Sequence, residues 1–270
     1  MTRLKFAVVG DNCIDRFGPP LSRSLVGGNA VNVAVQLARL GHASFYFGAV
    51  GEDAAGHRTG VALAANGVDV TYMRERSGIT AYTDIEITPS GERIFVHEDF
   101  GACAGYRPDE ADIAVLKTMD HVHIGWLDDG GVLRRALAEA GVSVSQDISV
   151  NADPADRGTA GLSIVFASAD DGHGTADALL NKLLEDGAPL AVVTRGSNGS
   201  VAGDGHERVE VGSLAVPIVD TTGAGDSFIA GFLGARIAKR PLSECLLSGR
   251  DHAALTCTHV GGFPQEPQPL

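Results

Sequence analysis

Short apolar runs alternate with helical patterns along most of the chain. Phe6 to Val9 is an apolar run, Ala30 to Leu40 a helical pattern, Ser44 to Val50 apolar again, and Ala54 to Ala65 helical. Apolar runs without polar alternation suit strands buried on both faces, and helices between them suit crossover connections. The alternation predicts an α/β fold built on a mostly parallel sheet flanked by helices. Further strands are predicted at His121 to Ile124, Val142 to Gln146, Leu162 to Ala167 and Leu190 to Thr194. Helices are predicted around Val132 to Ala140 and Ala176 to Leu184. Gly41 and Gly187 stand where helix C-terminal caps are expected.

One region breaks the alternation. Ala81 to Ile87 has period two, Thr88-Pro89-Ser90-Gly91 has turn composition, and Arg93 to His97 follows. This pattern predicts an inserted β-hairpin, with its strands at about residues 79–99. It suits either a plain edge hairpin or a substrate lid over the end of the sheet. A two-stranded hairpin is marginal without packing, so it is also expected to serve as a homodimer interface. There is no internal repeat or long linker, and the 270 residues are expected to form one domain. The Pro-containing tail from Phe263 to Leu270 is expected to be loosely ordered.

Composition narrows the partners. A net charge of −13 disfavours a sequence-independent nucleic-acid binder, which needs a basic face. It does not disfavour a nucleotide, because helix N-termini and backbone N–H groups supply local positive potential. Cys13, Cys103, Cys245 and Cys257 form no C-x-x-C pair or zinc-like spacing, which suits reduced thiols in the cytoplasm. The first apolar run is too short for a signal sequence or a membrane span, so no membrane partner is expected.

Candidate chemistry gathers at two glycine-rich helix starts. Asp220-Thr221-Thr222-Gly223-Ala224-Gly225-Asp226 leads into an apolar helical stretch. Glycines there let backbone N–H groups approach an anion while the helix dipole adds to the field. Asp226 fits either a general base that accepts a substrate hydroxyl proton or a plain helix-terminal acid. Gly27-Gly28-Asn29-Ala30-Val31-Asn32 likewise precedes a helix. Asn29 and Asn32, three residues apart, suit binding of sugar hydroxyls; the alternative is a simple cap with Asn29 at the N-cap. His121 and His123 form an H-x-H pair with no third ligand at a telling spacing, and Trp126 suits either a pocket wall or packing.

Gly27 to Gly41 (GGNAVNVAVQLARLG) and Asp220 to Phe232 (DTTGAGDSFIAGF) resemble the two signatures of the PfkB (ribokinase) family of carbohydrate kinases, in the same order. The resemblance extends over nearly the whole chain. It implies a ribokinase-like domain with a β lid that uses ATP and Mg²⁺ to phosphorylate a sugar or nucleoside hydroxyl. By that match, Gly223, Ala224 and Gly225 form the anion hole and Asp226 is the base. Asp15 accepts a substrate hydroxyl, with Gly28 and Asn32 beside the substrate. Thr194, Gly196 and Gly199 are similar to the nucleotide segment, and Gly261 falls in the loop near adenine. Asp220 and Thr222 match positions that bind a monovalent cation such as K⁺ in many relatives. The family's N-x-x-E motif, whose Glu organises the Mg²⁺ waters, is replaced here by Ser168 to Asp171 (S-x-x-D), which implies Asp171, with Asp170 next to it, as the metal's partner through water. If neither reaches the metal, the alternative is a non-catalytic nucleotide or sugar sensor. The opening GDNCID and the GGNAVNVAV run resemble the fructoselysine (fructosamine) 6-kinase branch more than ribokinase or adenosine kinase. Another sugar or nucleoside kinase of the family remains the alternative.

Overall fold

The computed structural model describes residues 3–87, 93–169 and 173–270. Its strands are β1 (Lys5–Val9), β2 (Cys13–Phe17), β3 (Arg23–Gly27), β4 (Ala43–Gly51), β5 (Val68–Arg76), β6 (Tyr82–Ile87) and β7 (Arg93–Asp99). They continue with β8 (His121–Ile124), β9 (Val144–Asp147), β10 (Ile164–Ser168), β11 (Ala191–Thr194), β12 (Ser200–Gly203), β13 (Arg208–Val211) and β14 (Gln268–Pro269). The helices are α1 (Asn29–Arg39), α2 (Ala54–Ala65), α3 (Glu110–Leu116), α4 (Val132–Glu139), α5 (His173–Glu185), α6 (Ala224–Ile237) and α7 (Leu242–Thr256).

Strand β1 shows why the apolar runs are unbroken. Phe6 and Val8 face one core, Ala7 and Val9 face the other, and all four are fully buried. Such a strand has no solvent face on which to alternate. It lies within a nine-stranded sheet of order β13-β12-β11-β10-β9-β8-β1-β4-β5. Pairing is parallel from β11 through to β5 and antiparallel at β11–β12 and β12–β13. Helices α1, α6 and α7 cover one face. The segment from Ser227 to Gly234 in α6 is buried throughout because that helix packs against both α1 and α7. The expected caps are present: Gly41 and Gly187 adopt φ of +88° and +92°, left-handed backbone that glycine enters without strain.

The hairpin forms as β6 and β7, but it belongs to a larger structure. A second sheet runs β14-β3-β2-β6-β7, with Phe17, Leu25 and Ile85 in its own small core. The turn at 88–91 lies outside the described residues. Strands β2 and β3 went unread because polar residues interrupt them. Arg16 bonds both oxygens of Asp84 at 2.7 and 2.8 Å and lies over the Tyr82 ring, so its charge is used on the outer face. The expectation of a loose tail is corrected. Phe263 is fully buried, Gln265 bonds the backbone N–H and C=O of Val26 at 2.7 Å each, and β14 pairs with β3. The buried ring and the amide that imitates a strand partner anchor the segment.

Candidate active site

Five parallel strands end on one edge, and their carboxyl ends deliver polar residues to one place. β1 leads to Asp11, β8 to Trp126, β9 ends on Asp147, β10 on Ser168 and β11 on Thr194. This edge is where open α/β sheets bind ligands. Helices α1 and α6 begin there as well.

The start of α1 is built around close approach. Gly28 adopts φ +106°, and a Cβ there would come within 2.7 Å of the Asn12 Cα. Gly28, not Asn29, is the N-cap residue, and it supplies no side chain. The Asp11 carboxylate takes over, accepting from the backbone N–H groups of Asn29 at 2.7 Å and Ala30 at 3.1 Å, with that of Trp126 at 3.2 Å. Burial nevertheless pushes the Asp11 carboxyl above its ordinary range, against those three donors.

With its cap supplied from outside, α1 turns both asparagine side chains toward Asp226. Asn29 Nδ2 donates to Asp226 Oδ1 at 2.6 Å, and Asn32 Nδ2 donates to Asp226 Oδ2 at 2.7 Å. Both carboxylate oxygens are thus held by side chains of a neighbouring helix. Burial pushes the Asp226 carboxyl up to about 8; the charges of Asp147 and Asp11 add to this, and the two amides oppose it. Asn29 Nδ2 also donates to Asp147 Oδ2 at 3.0 Å.

Two cavities meet beside this carboxylate. One, of about 460 Å³, is lined by Asp11, Asp15, Asn29, Asn32, Glu98 and Asp226, with Gly28, Thr222 and Gly223 also on its wall. The other, of about 620 Å³, is lined by Thr194, Gly196, Gly199, Leu214, Phe228 and Arg250, with Ala224 on its wall. Ser168, Thr194 and Gly225 line both. Gly223 adopts φ +74°, and a Cβ there would press to 2.3 Å from the Gly262 Cα, whereas a Cβ on Gly225 would enter open space. The first turn of α6 therefore presents bare backbone at the junction, an arrangement suited to an anion.

Asp15 is buried on β2 and reaches the first cavity because Gly27 has no side chain, since a Cβ there would lie 2.6 Å from Asp15 Oδ2. Trp126 lines the same cavity and stacks on Phe100 with centroids 4.0 Å apart, so it both packs and forms a wall. Asp220 is a loop brace. Its Oδ1 accepts from the Thr222 N–H at 2.7 Å and its Oδ2 from the Gly261 N–H at 2.9 Å. Gly261 lines neither cavity, so it stands apart from Thr194, Gly196 and Gly199. Asp170 and Asp171 lie outside the described residues, and among the described residues no three His, Cys, Asp or Glu side chains are placed to hold a metal ion.

His121 and His123 belong to a serine network. His121 bonds Ser143 at 2.9 Å and Ser145 at 2.7 Å, and His123 bonds Ser145 at 2.8 Å. Burial pushes both imidazoles down to about 3, so they are neutral. Asp147, Glu98 and Arg250 are site residues that sequence reasoning missed. Asp147 carried the clearest signal, a carboxylate closing a β-strand on the ligand edge of the sheet.

The profile of the pfkB family carbohydrate kinase matches residues 22–269. The chain is 34% identical over 259 residues to the fructoselysine 6-kinase of Escherichia coli K12, covering 95% of this chain and 98% of that protein. It is 33% identical over 269 residues to a fructosamine kinase of Bacillus subtilis 168, covering 96% and 93%. The fold is similar to that of an Arabidopsis thaliana ribokinase complexed with ribose and ATP, with TM-score 0.88, 22% identity, and coverage of 98% of this chain and 96% of that one. Among the described residues no helix is long and apolar enough to cross a membrane. On its matched span and its relatives, the chain belongs to the pfkB family of carbohydrate kinases.

Proposed function

We propose that this chain transfers the γ-phosphoryl group of ATP to a hydroxyl of an amine-bearing sugar conjugate of the fructosamine type. The observation that carries this reading is the junction of the two cavities at Gly225, with Asp226 on the sugar side. The substrate O–H gives its proton to Asp226 as its oxygen attacks the γ-phosphorus, and the bond to the β–γ bridging oxygen breaks to leave ADP. The backbone N–H groups at Gly223 and Gly225 serve the charge that develops on the phosphoryl oxygens, while that of Ala224 donates to the Thr221 carbonyl at 3.2 Å and braces the turn.

The second cavity suits the nucleotide, with Thr194, Gly196 and Gly199 along the phosphates and Leu214 and Phe228 supplying apolar wall. Mg²⁺, when bound, neutralises phosphate charge. Asp171 is its candidate partner, and Asp220 with Thr222 the candidate site for K⁺.

The first cavity supports the substrate class. Asp11, Asp15, Glu98, Asp147 and Asp226 line it, and among the described residues none that lines it is Lys, Arg or His. Such a wall repels a sugar phosphate and attracts an ammonium group. The aromatic stack of Phe100 and Trp126 adds a face on which a cation can rest. The named activities of the two relatives point the same way. β2, β3, β6 and β7 act as the lid over this cavity, with Phe95 on its wall, and the exposed Ile94 and Val96 pair two lids in a homodimer. The test is ADP release with fructoselysine, fructose, fructose 6-phosphate, ribose and adenosine. Turnover is expected to be highest with fructoselysine and lowest with the phosphate. ADP release with none of them, despite tight binding, would favour a sensor.

A further inference from the structure

Asp147 is a buried carboxylate that the transfer step does not use. It closes β9, and its Oδ1 is held by the backbone N–H of Ser149 at 3.0 Å and by the Ser149 hydroxyl. Its Oδ2 accepts from Asn29 Nδ2 at 3.0 Å, and the same nitrogen donates to Asp226 Oδ1 at 2.6 Å. An amide nitrogen has two hydrogens, and here each is given to a different carboxylate, which fixes which end of the amide faces the site.

The other end of Asn29 is costly. Its Oδ1 is buried with no partner among the described residues, packed where a Cβ on Gly125 would come within 2.6 Å. A buried acceptor left unpaired is destabilising, so the two contacts on the nitrogen side must outweigh it. Asp147 and Asp226 together hold Asn29 in this orientation, and Asn29 in turn holds Asp226.

We propose that Asp147 is a positioning residue of phosphoryl transfer, acting through Asn29 to orient Asp226 and to keep its carboxylate basic. The inference rests on Asp226 being the base. Among the described residues, two charged groups face Asp226: Asp147 from the end of β9 and Asp11 from the loop after β1. Asp11 is committed to three backbone N–H groups at the start of α1 and across to Trp126. Asp147 reaches Asp226 through a single amide, and among the described residues no cationic side chain lines the cavity to screen the pair. Two carboxylates joined by one donor titrate as a couple, so the charge on Asp147 raises the proton affinity of Asp226. The bridging amide works in the opposite sense, because it stabilises the ionised form of both.

These opposite signs supply a test that a merely structural role would not meet. Asp226→Asn is assayed first; retained turnover would overturn the assignment of the base and this inference with it. Then kcat/KM for the sugar at saturating ATP is measured against pH for wild type, Asp147→Asn and Asn29→Ser. Asp147→Asn is expected to move the acid limb down by about one pH unit, with KM for ATP within about twofold of wild type. Asn29→Ser, which removes the bridge and leaves both carboxylates, is expected to move the limb up. Acid limbs that stay in place, or that move in the same direction, would overturn the coupling while leaving Asp226 as base. If Asp147→Asn does not fold, an unmoved or lowered limb in Asn29→Ser alone decides against it.

Discussion

Asn32 Nδ2 donates to Asp226 Oδ2 at 2.7 Å across 194 residues of sequence, joining the two glycine-rich helix starts in one hydrogen bond. The second carboxylate oxygen is held by Asn29 from the same helix. With both oxygens fixed, the carboxylate has a defined direction from which to take a proton. The acids around it decide at which pH it can do so.

The acid limb of kcat/KM is expected near pH 8, well above the range of an ordinary aspartate, because burial and the charges of Asp147 and Asp11 raise the Asp226 carboxyl to about 8. A base must be ionised to act, so activity falls as pH drops through that value. A pH–rate profile checks this. A limb near pH 4 would show that Asp226 is not perturbed in the working enzyme.

Gly225 separates folding from chemistry. A Cβ there meets nothing within 4 Å, so Gly225→Ala is expected to fold with an unchanged or slightly higher melting temperature. Alanine in place of a helical glycine is worth roughly 0.5–1 kcal/mol. The added methyl group nevertheless occupies the junction of the two cavities, and kcat is expected to fall by about 10²-fold, the scale of losing one preorganised donor. Thermal melting beside turnover checks both halves.

Acid stability reports on the serine-bound histidines. His121 and His123 have folded values lowered to about 3, below the ordinary 6.5. Between those values the unfolded chain binds more protons, so stability is lost as pH falls below about 6.5. Each histidine contributes a slope of about 1.4 kcal/mol per pH unit. His123→Gln is expected to remove one proton from the difference in slope, measured by urea unfolding between pH 4 and 6.

The exposed face of β7 makes a further test. Ile94 is 46% and Val96 53% exposed, and neither lines the first cavity, unlike Phe95 between them. Wild type is expected to be a dimer in solution, and Val96→Asp a monomer with an unchanged fold, as judged by sedimentation and circular dichroism. A monomeric wild type would remove the dimer.

The sheet was legible because burial on both faces writes unbroken apolar runs, and β8 spans the same residues, His121–Ile124, that its run predicts. Asp226 and the asparagines were legible because glycines mark places where backbone must come close. β2 was not. Its Asp15 turns into the site and its Arg16 outward to Asp84, so neither face shows an apolar pattern. The anchored tail was equally invisible, since Gln265 meets Val26 across 239 residues and only the folded register brings them together. Asp147 falls between these cases. A carboxylate at the end of a strand gains meaning once strand order places it beside Asn29.

Asp226→Asn tests the central claim most directly, with ATP binding measured by calorimetry and turnover measured on the sugar that wild type accepts. General-base loss is expected to lower kcat by about 10²-fold or more while the ATP dissociation constant stays within about twofold. Turnover within a few-fold of wild type would contradict the account.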